Sequence, residues 1–169
     1  MAEVFIGLGS NTRPVQHLQL ACRALDALLA DTAASLVYAS PAVGGGPPYL
    51  NMVVRGHTSL APESLVDALK AIEQSAGRQR GRPEVTLDLD LLCFGDLVSP
   101  SLRLPRDDVL EHAFVLRPLA ELAPERRHPV SGVSFAEHWR GAAGHLGDLT
   151  PRGTLETLTP EPGSHGDPR

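Results

Sequence analysis

The sequence predicts a single α+β domain built on the order β-α-β-β-α-β, followed by a helical C-terminal extension. Three observations carry this prediction. Short apolar runs rich in β-formers close on Gly, Ser or Pro, and two stretches between them repeat apolar residues at helical spacing. At 169 residues, 42% of them hydrophobic and 21% charged, the chain is long enough for one sizeable core and short for two. The element order is the split βαβ, or ferredoxin-like, signature: an antiparallel sheet with its crossover helices packed mainly on one face.

The first strand is read in "EVFIGLGSN", which runs into a loop at Gly7, Gly9 and Ser10. Val15, Leu18, Cys22, Leu25 and Leu29 then recur at helical spacing behind Pro14, a residue tolerated in a first helical turn. "ASLVYASP" and "YLNMVVRGHTS" are the next two strands, separated by "AVGGGPP", whose glycines and prolines bar regular structure. Behind Pro62, Leu65, Leu69 and Ile72 mark a second amphipathic helix, with Gly77 as its stop. A fourth strand is expected at about 85 to 94. Residues 107 to 123 read as mostly helical with an interruption at Pro118, and "SFAEHWRGA" as a short last helix. From Gly147 the chain is rich in Pro, Gly, Thr and charge, so residues 1–146 are taken as the domain and 147–169 as a flexible tail.

Charge and composition exclude several classes. A net charge of -5 argues against a surface that coats nucleic acid. No apolar run reaches the roughly 18 residues that span a bilayer, and the first residues lack the pattern of a secretory leader, so a cytoplasmic protein without a membrane partner is expected. Cys22 and Cys93 are far apart and match no metal-ligand spacing; they read as reduced, buried thiols.

"TLDLDLL", residues 86 to 92, places two aspartates in a run of leucines. Strand side chains alternate, so Asp88 and Asp90 share one face while Leu87, Leu89 and Leu91 share the other. Two carboxylates so placed resist ionising together unless positive charge lies between them, and a Mg²⁺ ion with its oxygen preference would supply it. The alternative is a wet sheet face on which both acids are merely solvated. Just upstream, "GRQRGR" carries Arg78, Arg80 and Arg82 in a glycine-containing loop. By itself it reads as a solvated charge run; beside paired acids it suits a polyphosphate whose metal the acids hold and whose remaining charge guanidinium groups clamp. There is no "GxxxxGK[ST]" loop to cradle a nucleotide.

Taken in order, "IGLGSN", "YASPAV", "PYLNMVV", "AIEQSAGRQR", "TLDLDLLCFGD" and "LEHAFVLRPLAELAP" resemble the 6-hydroxymethyl-7,8-dihydropterin pyrophosphokinase family over about residues 3 to 130. The resemblance implies transfer of diphosphate from ATP to the pterin's hydroxymethyl group in folate synthesis, with two Mg²⁺ ions on Asp88 and Asp90. It further implies a pterin slot of Gly9, Ser10, Asn11, Ser40, Pro41, Val43, Tyr49, Asn51 and Phe114. The ATP side would be formed by Glu73, Arg78, Arg80, Leu91, Arg106 and His112. Arg78, Arg80, Arg82 and Arg106 would be the catalytic cations, the partners would be small molecules only, and the chain would act as a monomer. Tyr49 and Phe114 also suit a core, and Asn51 a strand end.

The chain departs from the family pattern in three places. "PEV" puts Val85 where a phosphate-binding arginine is expected, Arg106 stands for a histidine, and His112 for an arginine. The loop before the acidic strand is also short and lacks a tryptophan. Arg82 and Arg106 are the candidates to restore the lost charge. These departures keep two other functions open: a divergent pterin-binding paralogue with weak or altered transfer activity, and a non-catalytic binding module on the same fold.

Overall fold

A computed structural model describes residues 1–42, 45–142, 144–147 and 149–162. Its elements run β1 (Ala2–Ser10), α1 (Pro14–Leu28), β2 (Ala30–Ala34), β3 (Val37–Ser40), β4 (Tyr49–Thr58), α2 (Pro62–Ser75), β5 (Asp88–Phe94), α3 (Asp108–Glu111), α4 (Ala113–Leu122), α5 (Phe135–Ala142) and β6 (Thr150–Gly153), then a 3₁₀ turn at Leu155–Thr157. Every strand pairing is antiparallel. The sheet order is β5-β1-β4-β3-β6, with β2 also on β4, so β5 is an edge strand.

The strand alternation divides the core in two. Val4, Ile6, Leu8, Met52, Val54, Leu89 and Leu91 face α1 and α2, where Leu18, Leu25, Leu65 and Leu69 close the main core. On the opposite face Phe5, Val53, Leu92 and Cys93 meet Val109, Val115, Leu119 and Phe135 from α3, α4 and α5. Both crossover helices therefore lie on one side, and the C-terminal helices cover part of the other. A register shift between Phe5 and Ile6, opposite Cys93 and Leu91, leaves Leu92 as the extra residue of a bulge. Leu92 and Cys93 can then both turn toward the second core, while Leu89 and Leu91 keep the phase that leaves Asp88 and Asp90 on the far face.

Several elements differ from the sequence expectation. "ASLVYASP" is split, its first residue ending β2 and Val37–Ser40 forming β3. The helical stretch after 107 breaks at His112, which is extended (φ -127, ψ 129), and Pro118 lies inside α4. The break holds because the His112 carbonyl accepts from the N–H groups of Val115 and Leu116, starting the new helix, so Pro118 forfeits only one later bond. Residues beyond 147, with few side chains to bury, nevertheless contribute β6 on β3. Leu155 and Leu158 pack on the main core. Cys93 is buried, Cys22 half-buried, and both are free thiols. Burial, the largest cause, pushes them up to about 12 and about 11, out of the reactive range.

Candidate active site

β5 presents Asp88 and Asp90 opposite Gly9 and Gly7 of β1, so the neighbouring strand places no side chain over the acids. Burial, then the charge of Asp88, pushes Asp90 up to about 7; Arg106 opposes the shift and Asp108 adds to it. A carboxylate pair under that strain is a site that gains from added positive charge. Behind it, Glu73 of α2 is buried and accepts the Leu89 N–H at 2.8 Å. This carboxylate ties α2 to the acidic strand. Its own pKa is raised, chiefly by burial, with the Leu89 bond opposing and the Asp88 charge reinforcing the shift.

The four predicted arginines are placed differently. Arg78 donates to the Leu87 carbonyl at 3.1 Å and lies 3.5 Å from Asp88, fixed against β5. Arg80 is exposed and 3.8 Å from Glu73. Arg106 lies 3.8 Å from Asp90 and 3.6 Å from Asp108. Arg82 is exposed and makes no ion pair among the described residues. Two of these guanidinium groups hold donors in reserve: Nε of Arg78 and Nε of Arg106 are buried without a partner. A buried donor left unmet costs about 1–3 kcal/mol, which an incoming phosphate oxygen would relieve.

A cleft of about 400 Å³ opens along the β5 edge between α2 and the loop before α3. Of the residues singled out from the sequence, Glu73, Arg80, Asp88, Asp90, Leu91 and Arg106 line it, together with Lys70, Ser101 and Arg103, which sequence reasoning missed. Lys70 was within reach, being one helical turn before Glu73. Arg103 gave no signal, because its placement depends on a left-handed backbone (φ 56) inside an irregular loop.

Gly9, Asn51 and Phe114 come together in a second hollow, with Gly7, Asp88, Asp90 and Asp108. Ser40 reaches it indirectly: Asn51 Nδ2 donates to Ser40 Oγ at 2.8 Å, which fixes the amide. Pro41 and Tyr49 sit at the adjoining strand ends, outside its lining, and Val43 lies outside the described residues. The hollow holds only about 30 Å³, the volume of roughly one water. His112, expected on the ATP side, stacks on Phe114 instead, centroids 4.9 Å apart and planes 13° from parallel.

Ser10 and Asn11 serve the loop before β5. The Ser10 hydroxyl donates to the Thr12 and Val85 carbonyls at 3.1 and 3.3 Å. Asn11 Nδ2 donates to Pro83 O at 3.0 Å, and Asn11 Oδ1 accepts the Val85 N–H at 2.6 Å. Val85 itself is buried. This position is thus part of the packing and delivers no cation to the cleft.

Paired carboxylates beside an arginine-lined cleft, on the edge of an antiparallel sheet covered by helices, are the equipment of a phosphate-transferring α+β protein. Residues 5–124 match the family described as 7,8-dihydro-6-hydroxymethylpterin-pyrophosphokinase (HPPK), and the chain belongs to that family. It is 42% identical to the 2-amino-4-hydroxy-6-hydroxymethyldihydropteridine pyrophosphokinase of Pseudomonas aeruginosa, over 75% of this chain and 83% of that one. It is 37% identical to the Haemophilus influenzae protein of the same name, over 82% and 96%. Among solved structures, the wild-type HPPK-DHPS of Plasmodium falciparum superposes with a TM-score of 0.67 at 13% identity. That likeness covers 83% of this chain and 44% of the longer protein, and it speaks for the fold.

Proposed function

We propose that this chain is a Mg²⁺-dependent enzyme transferring diphosphate from ATP to the hydroxymethyl group of 6-hydroxymethyl-7,8-dihydropterin, releasing AMP, in folate biosynthesis. The observation that carries the reading is the Asp88–Asp90 pair, flanked by Arg78 and Arg106 and opening on the 400 Å³ cleft. Family membership makes the reaction specific.

The donor set fits a hard divalent cation: two carboxylates on one strand face, over a glycine floor, with Asp90 pushed up to about 7 for want of compensating charge. Asp88 and Asp90 would hold the metal, which supplies charge neutralisation and a fixed frame for a polyphosphate. This chain's cations do the rest. Arg80, Arg103, Arg106 and Lys70 line the cleft that takes the triphosphate, and Arg106 supplies the charge that Val85 lacks. Asn51, locked by Ser40, offers its amide oxygen to the pterin edge, and Phe114 offers a ring face. The pterin hydroxyl oxygen bonds to the β-phosphorus as its proton passes to solvent, and the bond from the β-phosphorus to the α–β bridging oxygen breaks, so that AMP leaves with that oxygen. Catalysis is alignment and electrostatics.

The rest of the reading follows from the same family. The β5-β1-β4-β3 core is read as ferredoxin-like, residues 1–146 as the catalytic domain, to whose sheet and core the following segment adds β6, Leu155 and Leu158, and the chain as a cytoplasmic monomer taking only small molecules. No helix among the described residues is long and apolar enough to cross a membrane.

AMP formation from ATP and the pterin, with and without Mg²⁺, in the native chain beside the Asp88→Ala, Asp90→Ala variant, tests the reaction. Metal-dependent AMP lost in the variant is expected. A second reading, a divergent pterin binder with weak transfer, is favoured by the buried Val85 and the small hollow, which must widen to admit a bicyclic ring. Pterin binding without AMP release would select it.

A further inference from the structure

We infer that Asp108 is a positioning residue for Arg106: it holds the guanidinium at the site when metal occupies Asp90. The inference rests on the reading of Asp90 as a metal ligand. Arg106 is locked at both ends of its backbone, its N–H donating to Leu92 O at 2.9 Å and its carbonyl accepting from Val109 at 3.2 Å. Only the side chain is free to move. Its Nη2 stands between two carboxylates, 3.8 Å from Asp90 and 3.6 Å from Asp108.

Asp108 opens α3, yet its carboxylate is turned back to Arg106 two residues earlier, and Asp90 and Asp108 line the same hollow. The three residues form a carboxylate–guanidinium–carboxylate row. A guanidinium and a divalent cation compete for Asp90, because like charges at a shared carboxylate repel. Asp108 is the other anion holding Arg106. While Asp90 serves a metal, Asp108 retains the guanidinium within reach of the phosphates, with its buried Nε still to be satisfied. Without Asp108, Arg106 has Asp90 alone and obstructs it.

This predicts a coupling between Asp108 and Arg106 that a general charge effect does not produce. Asp108→Asn should weaken metal binding mainly through Arg106, so the loss should vanish once Arg106 is removed. The probe is Mn²⁺ alone, titrated by the paramagnetic resonance of the free ion into the native chain, Asp108→Asn, Arg106→Ala and the double variant. Expected are a three- to tenfold weaker affinity in Asp108→Asn, a tighter one in Arg106→Ala, and no further change when Asp108→Asn is added to Arg106→Ala. A loss of equal or greater size in the Arg106→Ala background would make Asp108 a direct ligand or a simple counter-charge and overturn the inference. Asp108→Glu should recover most of the native affinity. Circular dichroism confirms that each variant is folded, and AMP formation by the native chain, measured beside it, separates failure of this inference from failure of the proposed reaction.

Discussion

Gly9 shows how little room the site leaves at the level of one residue. A Cβ built there would stand 3.1 Å from Asn51 Oδ1, closer than ordinary contact. The amide cannot retreat freely, since its other end donates to Ser40. Gly9→Ala should therefore displace the group proposed to read the pterin edge, at an overpacking cost of about 1 kcal/mol or more. The expected outcome is roughly fivefold or weaker pterin affinity, read by calorimetry, with the thermal midpoint little changed. Native affinity in that variant would remove Asn51 from the slot. Asp88 and Asp90 were legible before any coordinates because alternation alone puts them on one face. The bonds of Ser10 and Asn11 were not legible, for their side chains reach a loop more than seventy positions away. Nothing in their own neighbourhood records that.

At the scale of elements, α1 begins without a local cap. Arg13 stands at its N-cap in a left-handed conformation (φ 43) with no side-chain cap bond, as an arginine has no acceptor to offer. Glu161 supplies the cap from the far end of the chain: Oε1 accepts the Val15 N–H at 3.0 Å and Oε2 the Gln16 N–H at 3.2 Å. Two orphan amides and the positive end of the helix dipole are met by one carboxylate. Glu161→Ala should cost about 0.5–2 kcal/mol, seen as a lower urea midpoint at unchanged slope. An unmoved midpoint would mean that this strap does not hold α1 in solution. The helices and strands of the core were legible from their periodicity. The break at His112 was not, because the sequence marks Pro118, and the preference of proline yields to a helix start fixed by the His112 carbonyl.

Over the whole molecule, the C-terminal helices stay on the sheet through a turn centred on a histidine. His128 is buried, and its Nδ1 accepts the N–H groups of Val130 and Ser131, both at 3.2 Å. The turn leads into Phe135, fully buried and edge-on to Phe5 at 6.0 Å. Burial, then the charge of His138, lowers the His128 pKa, so the folded state takes up its proton less readily than the unfolded chain. The unfolded state binds more protons just below the ordinary histidine value of about 6.5. Stability is therefore complete above that pH and declines as pH falls through it. Urea unfolding at pH 8 and pH 5.5 should show the decline, and His128→Asn, which keeps an acceptor near the same place but does not titrate, should flatten it. Equal slopes in both proteins would assign the pH dependence to other groups.

The sequence by itself determined the mixed α and β class, the acidic face of β5 and the family, because each is written in local alternation, helical spacing and ordered motifs. Only the tertiary structure decided which cations reach the acids. Arg106 and Arg103 come to the cleft on an irregular loop, Arg82 stays outside it, and Val85 is buried. The structure also decided that the C-terminal segment adds β6 and caps α1. The physical reason is common to both cases. Periodicity records which side of an element is apolar, whereas the position of a long charged side chain, or of a segment with little to bury, depends on partners remote in sequence that only the folded chain brings near.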